Sequence, residues 1–590
     1  MSRGHEPDSH PHSFRLMIVP ALTQPLPCLR HLLGALLSVI LVGGGLLASA
    51  LPAEAQAIDP HPHFAGPRDG PVETRQYGDL AEGPYNRLVI RNVMVIPGHG
   101  GPPTGPYDIL IEGNVISEMR AFNPIAAERA RLAGEPLERL EGDRVIEGEG
   151  MYVMPGMLDL HYHLRSEPIP VEYSYYLKLA HGVTTTGPTG GDRGQEYTRE
   201  QARLSAENEI LAPRMLPTFQ WGVTAMQQIG MDVTQEEVED PANAERLAQE
   251  IIERGAHLVG VNSLSWNPEA FGAAAQAVDA AGGITTVHLP PSTLAVVNAL
   301  DAARLGVTFI KHHYGIAESA LPRRSQDFSR GYNYNDESHR FREAARVWEE
   351  VGWNPEHRER LLETVVDSMI HYGVKMMPTM VVYEASRDIL RAQSLPWHDR
   401  YTHQSLLEWS VPSPAWHGAF HWDWTHDDEE SWRYAFDLWG DFLYEFNKRG
   451  GQIAVGSDDN YIWATAGFSN IRELQLLRES GMHSLEVLRA ATYGSAQAAR
   501  LEGIGLVRPG YLADLVLVDG NPAENFRHMY SFGAIRMGED QSMVRSQGIV
   551  HTIKDGIVVE NANLMREVAR MVEESREGAE PLITEAPFIP

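Results

Sequence analysis

The chain reads as an α/β protein: a (β/α)8 barrel carrying a composite β-sandwich made from the segments that flank it. Three observations predict this. Eight short apolar runs alternate with amphipathic stretches between residues 151 and 502. β-type patterning returns on both sides of that region. Residues with metal-ligand chemistry recur at the ends of the apolar runs, where barrels of this kind keep their chemistry.

The order along the chain is as follows. Arg30 and His31 precede an uncharged run, 32–51, and then Ala55-Gln56-Ala57, a small-x-small cleavage pattern. Residues 1–57 are read as a signal peptide cleaved after Ala57, with export to the periplasm or the extracellular space. The competing reading is an uncleaved anchor, because the run is long enough to span a bilayer. Residues 58–84 are rich in Pro, Gly and charge and read as a linker. Residues 85–150 form the first sandwich part, with strands at 88–90 and 93–96 and a strand plus turn at 108–114. The barrel strands are expected at 152–161, 182–186, 214–220, 257–263, 284–289, 307–312, 375–383 and 452–456. Helical stretches fall at 242–254, 269–281, 294–305 and 358–372. Two connections, 314–356 and 384–450, exceed what a barrel needs, and seven of the 12 Trp lie between Trp397 and Trp439. Most of these Trp are expected to form a small core of the insertion, and some to wall a pocket. Residues 503–560 return to β as the second sandwich part, and 561–590 hold a final helix and tail.

The formal charge of −30 argues against nucleic acid or an anionic membrane as partner. The single cysteine, Cys28, lies in the signal segment. A mature chain therefore has no disulfide, no thiolate ligand and no Cys nucleophile. No later run has spanning length, so no stable membrane insertion is expected after cleavage. A homo-oligomer is allowed, and the expected ligand is a small-molecule or peptide-like substrate.

Three His-x-His triplets occur. His10/His12 and His61/His63 lie in polar or Pro-rich sequence and read as solvated. His161/His163 closes an apolar run, and on a strand residues i and i+2 share a face. His288, His312 and Asp458 end three further runs. Each alone is more often structural; together, on four strands of one barrel, they make a metal site. Nitrogen and oxygen donors without thiolate suit Zn²⁺ first, and also Fe, Mn, Co or Ni. Tyr383, at the end of the seventh run, and Thr189, past the second, are candidate substrate-binding residues.

In the order and spacing of its motifs the chain resembles the amidohydrolase superfamily. The motifs are Pro155-Gly-Met-Leu-Asp-Leu-His-Tyr-His, His181-Gly-Val-Thr-Thr-Thr, Thr286-Val-His, Ile310-Lys-His, Ile453-Ala-Val-Gly-Ser-Asp, Ala491-Thr, and Gly503-Ile-Gly-Leu-Val-Arg-Pro-Gly-Tyr-Leu-Ala-Asp-Leu-Val-Leu-Val-Asp-Gly-Asn-Pro. The resemblance covers most of residues 85–560 and is to an exported, imidazolonepropionase- and prolidase-like branch. It implies a barrel with a composite sandwich and hydrolysis of C–N bonds in amides, cyclic amides or peptides. His312 matches the family's strand-six His, although strand parity alone leaves its neighbour His313 in contention. Two-metal members carry a carboxylated Lys on strand four. Here Gly260 stands at that position, Asn262 shares its face, His257 is expected to point away, and Lys311 is expected on the wrong face of its strand. The resemblance then implies one divalent ion held by His161, His163, His288 and Asp458, with His312 turned toward substrate. Asp458 would act as the catalytic base and His312 would polarise the scissile carbonyl. The alternatives are a mononuclear deaminase of the same superfamily and a ligand-binding barrel without catalysis.

Overall fold

The computed structural model describes residues 73–579, apart from 190–192, 412–417, 419 and 539. The expected signal segment, Cys28, His10/His12 and His61/His63 lie outside the described residues.

Seven barrel strands run parallel. Met157–His163 pairs with Val183–Thr189, which pairs with both short pieces of strand three, Arg214–Met215 and Thr218–Gln220. Then follow Leu258–Gly260, Ile284–Val287, Phe309–Lys311 and Lys375–Met377. The eighth run contributes an isolated bridge, Ile453 beside Met376, in place of a full ladder. Two backbone bonds fix it to strand seven, Met376 N–H to Gln452 O at 3.0 Å and Ala454 N–H to Met376 O at 2.9 Å. Leu160 N–H donates to Val455 O at 2.9 Å, which closes the ring onto strand one. The barrel is filled by apolar residues from most of its strands, among them Leu158, Leu160, Leu216, Leu258, Ile284, Phe309 and Met377.

The run expected at 152–161 divides at Gly156. Tyr152–Pro155 belongs to the flanking sheet and Met157–His163 to the barrel. A Cβ on Gly156 would stand 2.1 Å from Thr184 Oγ1, so only glycine allows this crossover. Strand seven is also shorter than expected. It ends at Met377 because Pro378 cannot donate to a ladder, and a helix, Met380–Arg387, follows. Tyr383 therefore sits on that helix and not at a strand end.

The flanking segments join into one ten-stranded sheet. Its order is Arg75–Gln76, Ala81–Gly83, Ile557–Glu560, Gly548–Lys554, Leu515–Asp519, Tyr152–Pro155, Arg87–Val95, Thr104–Glu112 and Val115–Ala121, with Arg144–Glu147 beside Arg87–Val95. Arg214, fully buried at the barrel base, joins the two layers. It holds Asp514 through two bonds at 2.9 and 2.8 Å and reaches Asp555 at 3.0 Å. This bidentate geometry is what a buried ion pair needs to offset desolvation.

The insertions supply two long helices, Glu337–Trp353 and His426–Lys448, that pack on each other. Trp348, Trp432 and Trp439 are buried between them and the barrel mouth. Among the described residues, no helix is long and apolar enough to cross a membrane.

Candidate metal centre

Strand one delivers His161 and His163 to the same side, as its pleat requires. Asp458 follows the eighth run, and its own N–H is held by the His161 carbonyl at 2.8 Å. It adopts a left-handed backbone, φ 50°. Its Oδ1 lies 3.2 Å from His161 Nε2 and 3.0 Å from His163 Nε2. One donor atom from each of these three residues falls within 4.8 Å of the other two. Two imidazole nitrogens and a carboxylate oxygen in so small a volume suit a borderline divalent cation.

Proton counting fixes two of the rings. Thr189 Oγ1 donates to Tyr162 O at 3.1 Å and lies 3.2 Å from His163 Nδ1. With its only proton committed, the hydroxyl accepts from Nδ1–H, and His163 Nε2 presents a lone pair toward Asp458. Thr379 does the same for His312. Its hydroxyl donates to Pro378 O at 2.6 Å and faces His312 Nδ1 at 2.6 Å. His312 Nε2 is then a bare lone pair, buried and without a hydrogen-bond partner among the described residues. A neutral Nε2 accepts and cannot donate, so this ring suits a ligand or proton acceptor better than the carbonyl-polarising donor expected of it.

His312, Thr379, Asp458 and Asn460 all have positive φ, at 63°, 51°, 50° and 62°. Such non-glycine residues are uncommon, and their clustering marks a site whose surroundings over-determine it.

Burial, aided by the Lys311 ammonium and opposed by Asp458, pushes the His161 imidazole down to about 4. Burial also holds His312 well below the usual histidine range, with His288 adding to it. Both rings are neutral at neutral pH, the form that binds metal. Burial pushes the Asp458 carboxyl up, but the His161, His163 and His312 rings around it outweigh burial and leave the carboxyl well below its ordinary value. His312 Nδ1 stands 3.7 Å from Asp458 Oδ2.

The other predicted residues are placed as follows. His288 lies beside the triad, its ring 4.4 Å from that of His312 and stacked on Tyr314 at 5.3 Å; it is not one of the three grouped donors. Asn262 Oδ1 accepts from the His288 N–H at 2.8 Å. His313 is enclosed by Tyr314, Tyr383, Trp432 and Trp439, with ring separations of 4.2 to 5.4 Å. Tyr383 stands 5.7 Å from the His312 ring and stacks on Trp432. These insertion aromatics therefore wall the space behind the metal ligands. At Gly260 a Cβ would meet Gln220 Oε1 at 2.3 Å, so an amide occupies the place where a bridging lysine would start. His257 points to the barrel base, its Nε2 2.9 Å from Ala499 O.

Lys311 corrects the expectation. It is buried and within electrostatic reach of Asp458 and His161, with burial pushing its ammonium down to about 8 against the pull of Asp458. The left-handed turn at His312 breaks the alternation of the strand, so Lys311 and His312 both approach the site.

The sequence reading missed Lys178. Its ammonium, with no exposed surface, contacts Asp159 and Asp459 and lies 3.1 Å from Ser457 Oγ and 3.0 Å from Asn470 Oδ1. Asp159 in turn accepts from Ser457 N–H at 3.0 Å and Ser457 Oγ at 2.6 Å. The residues on either side of Asp458 are thereby tied to strand one. A lone lysine inside the apolar helix Val171–Ala180 was the available signal.

The fold and site define a parallel barrel with a His-His-Asp cluster able to hold a metal ion. A family model described as "Amidohydrolase family" matches residues 443–559. Adenine deaminase of Bacillus subtilis (strain 168) is 36% identical over 123 residues, 19% of this chain and 21% of that protein. Dihydroorotase of Bacillus pumilus (strain SAFR-032) is 31% identical over 133 residues, 22% and 27% respectively. The chain thus matches about a quarter or less of these relatives' length. In fold, a Xaa-Pro dipeptidase solved with bound methionine is similar at TM-score 0.51 and 18% identity, covering 80% of this chain and 100% of that one. Bottromycin amidohydrolase is similar at TM-score 0.54 and 17% identity, covering 83% and 91%. Residues 443–559 thus match the amidohydrolase family model, and the barrel shares its fold with these solved proteins.

Proposed function

We propose that this protein is a metal-dependent amidohydrolase that uses one divalent ion, zinc first, to hydrolyse a C–N bond in a peptide-like, N-acyl amino acid or cyclic amide substrate. The observation that carries this reading is the convergence of His161, His163 and Asp458, with the His163 tautomer held by Thr189. His161, His163 and Asp458 would hold the ion, with His288 alongside. A cation there supplies Lewis acidity and makes water acidic enough to react near neutral pH.

The chain's own residues do the rest. The Asp458 carboxylate takes a proton from the attacking water and returns it to the leaving nitrogen. His312, with Nδ1–H held by Thr379, has an Nε2 that accepts rather than donates and steadies the ligand side of the site. Tyr383 and the insertion aromatics exclude water and shape the pocket. Gly260, with Gln220 filling the space beside it, supports a single ion, because the strand-four position carries no lysine.

The test is metal quantification per chain, followed by a screen of dipeptides, N-acyl amino acids and cyclic amides. A purified protein that binds no divalent cation and gains no activity from added metal would instead be a binding barrel. A second reading, a mononuclear deaminase, has support in the adenine deaminase likeness and in the single-ion site. Ammonia release without a second organic product would favour it. We also place the mature protein outside the cytoplasm. The support is the uncharged run at 32–51 followed by Ala55-Gln56-Ala57, and mass analysis of the mature N-terminus tests it.

A further inference from the structure

Glu473 lies on the helix Phe468–Glu479 that follows the Asp458 loop, and it has no exposed surface. Its Oε2 accepts from the Val381 N–H at 2.8 Å, and the Met380 N–H also points at this carboxyl. Met380 and Val381 are the first two residues of the helix Met380–Arg387. Glu473 Oε1 is buried without a hydrogen-bond partner among the described residues.

The residue at the N-cap of that helix is Thr379. A threonine there ordinarily turns its hydroxyl onto the first free N–H groups of the helix. Here Thr379 makes no such bond. Its hydroxyl is spent on Pro378 O and His312 Nδ1, from a left-handed backbone that β-branched residues avoid. A carboxyl from another helix has taken over the capping that Thr379 gave up.

We propose that Glu473 is a positioning residue for His312. By capping the helix in place of Thr379, it frees the Thr379 hydroxyl to hold His312 as the Nδ1–H tautomer beside Asp458. Without Glu473, the Met380 and Val381 N–H groups lose their acceptor, and Thr379 recovers them by relaxing to an ordinary N-cap. The His312 ring is then released. Burial pushes the Glu473 carboxyl up to about 8, so a neutral amide is a fair substitute. The inference rests on the proposed metal-dependent hydrolysis for its kinetic consequence, but its structural half does not.

The experiment uses the full mature chain, with selectively ¹⁵N-labelled histidine and no added metal, to read the His312 tautomer. Turnover of the metal-loaded enzyme is measured separately. Glu473→Gln and Thr379→Ser should keep the parent tautomer. Glu473→Ala and Thr379→Val should each shift His312 toward a tautomer mixture and lower kcat by about 10- to 100-fold, the usual cost of losing such support, with KM changed less than about twofold. The double variant Glu473→Ala/Thr379→Val should be no worse than Thr379→Val alone. If Glu473→Ala does not fold, Glu473→Asp, one methylene short of the helix, is expected to show the same shift. An unchanged His312 signal in whichever of Glu473→Ala or Glu473→Asp folds overturns the proposal, as does a multiplicative loss in the double variant. A tautomer shift in a protein without hydrolase activity would instead overturn only the functional reading.

Discussion

Thr189 Oγ1 sits 3.2 Å from His163 Nδ1 while giving its one proton to the Tyr162 carbonyl at 3.1 Å. Strand two thereby sets the tautomer of a ligand on strand one. Thr189, expected to contact substrate, is hydrogen-bonded behind the His163 ring. Thr189→Val removes the acceptor while keeping the shape, and metal affinity should fall by about 10- to 100-fold. Thr189→Ser should stay near the parent. Calorimetric titration with Zn²⁺ distinguishes them, and equal affinities in all three proteins would refute the assignment.

One ion per chain is expected, since the strand-four position holds Gly260 with Gln220 against it. Saturating metal should raise the unfolding free energy by about 2.7 kcal/mol at 100 times Kd. Asp458→Asn should lower kcat by about 100-fold or more, the scale of a lost general base, with an unchanged circular dichroism spectrum. Two ions per chain at full activity, or an active Asn variant, would contradict this scheme.

Glu473 also makes a prediction about stability. Its carboxyl is pushed up to about 8 when folded, from an ordinary 4.5, chiefly by burial. Between those pH values the unfolded chain releases a proton that the folded chain keeps. Fewer protons are then bound in the unfolded state, and stability falls as pH rises through the window. Gln at this position does not titrate. The stability of Glu473→Gln relative to the parent should therefore climb from about pH 4.5 to about pH 8 and then level off, by a few kcal/mol in all. Urea unfolding at pH steps measures it, and a flat difference would show that Glu473 ionises normally.

Much of this architecture is written locally. The strands declare themselves through short apolar runs, and His161, His163 and Asp458 through their places at run ends. What stayed hidden depends on breaks in local regularity or on distant partners. Tyr383 reads as strand because Val381 and Val382 precede it, yet Pro378 stops the ladder and a helix begins. Lys311 reads as facing away because parity assumes a regular strand, and the backbone at His312 is not regular. The division at Gly156 is visible only once Thr184 is seen to fill the space a side chain would need. Lys178 is 279 residues from Ser457 and 281 from Asp459, so no spacing rule could join them.

That buried lysine supports the last prediction. Lys178 lies between Asp159 and Asp459, all three side chains fully buried. Lys178→Met would leave two carboxyl groups close together in a dry interior with no cation. Removing one partner of a buried ion pair costs about 3–5 kcal/mol, and the same order is expected here. Because Asp159 also grips the Ser457 N–H and hydroxyl, repulsion between the acids should displace the segment that carries Asp458. Metal affinity should fall along with stability. The triple variant Lys178→Met/Asp159→Asn/Asp459→Asn has no buried charge left to compensate, and it should regain much of the stability. It should not regain full metal affinity, because a neutral amide holds the Ser457 groups more weakly than a carboxylate does. Urea denaturation and Zn²⁺ titration of the single and triple variants separate the two effects. A Lys178→Met protein as stable as its parent would mean that the two aspartates share a proton and need no lysine.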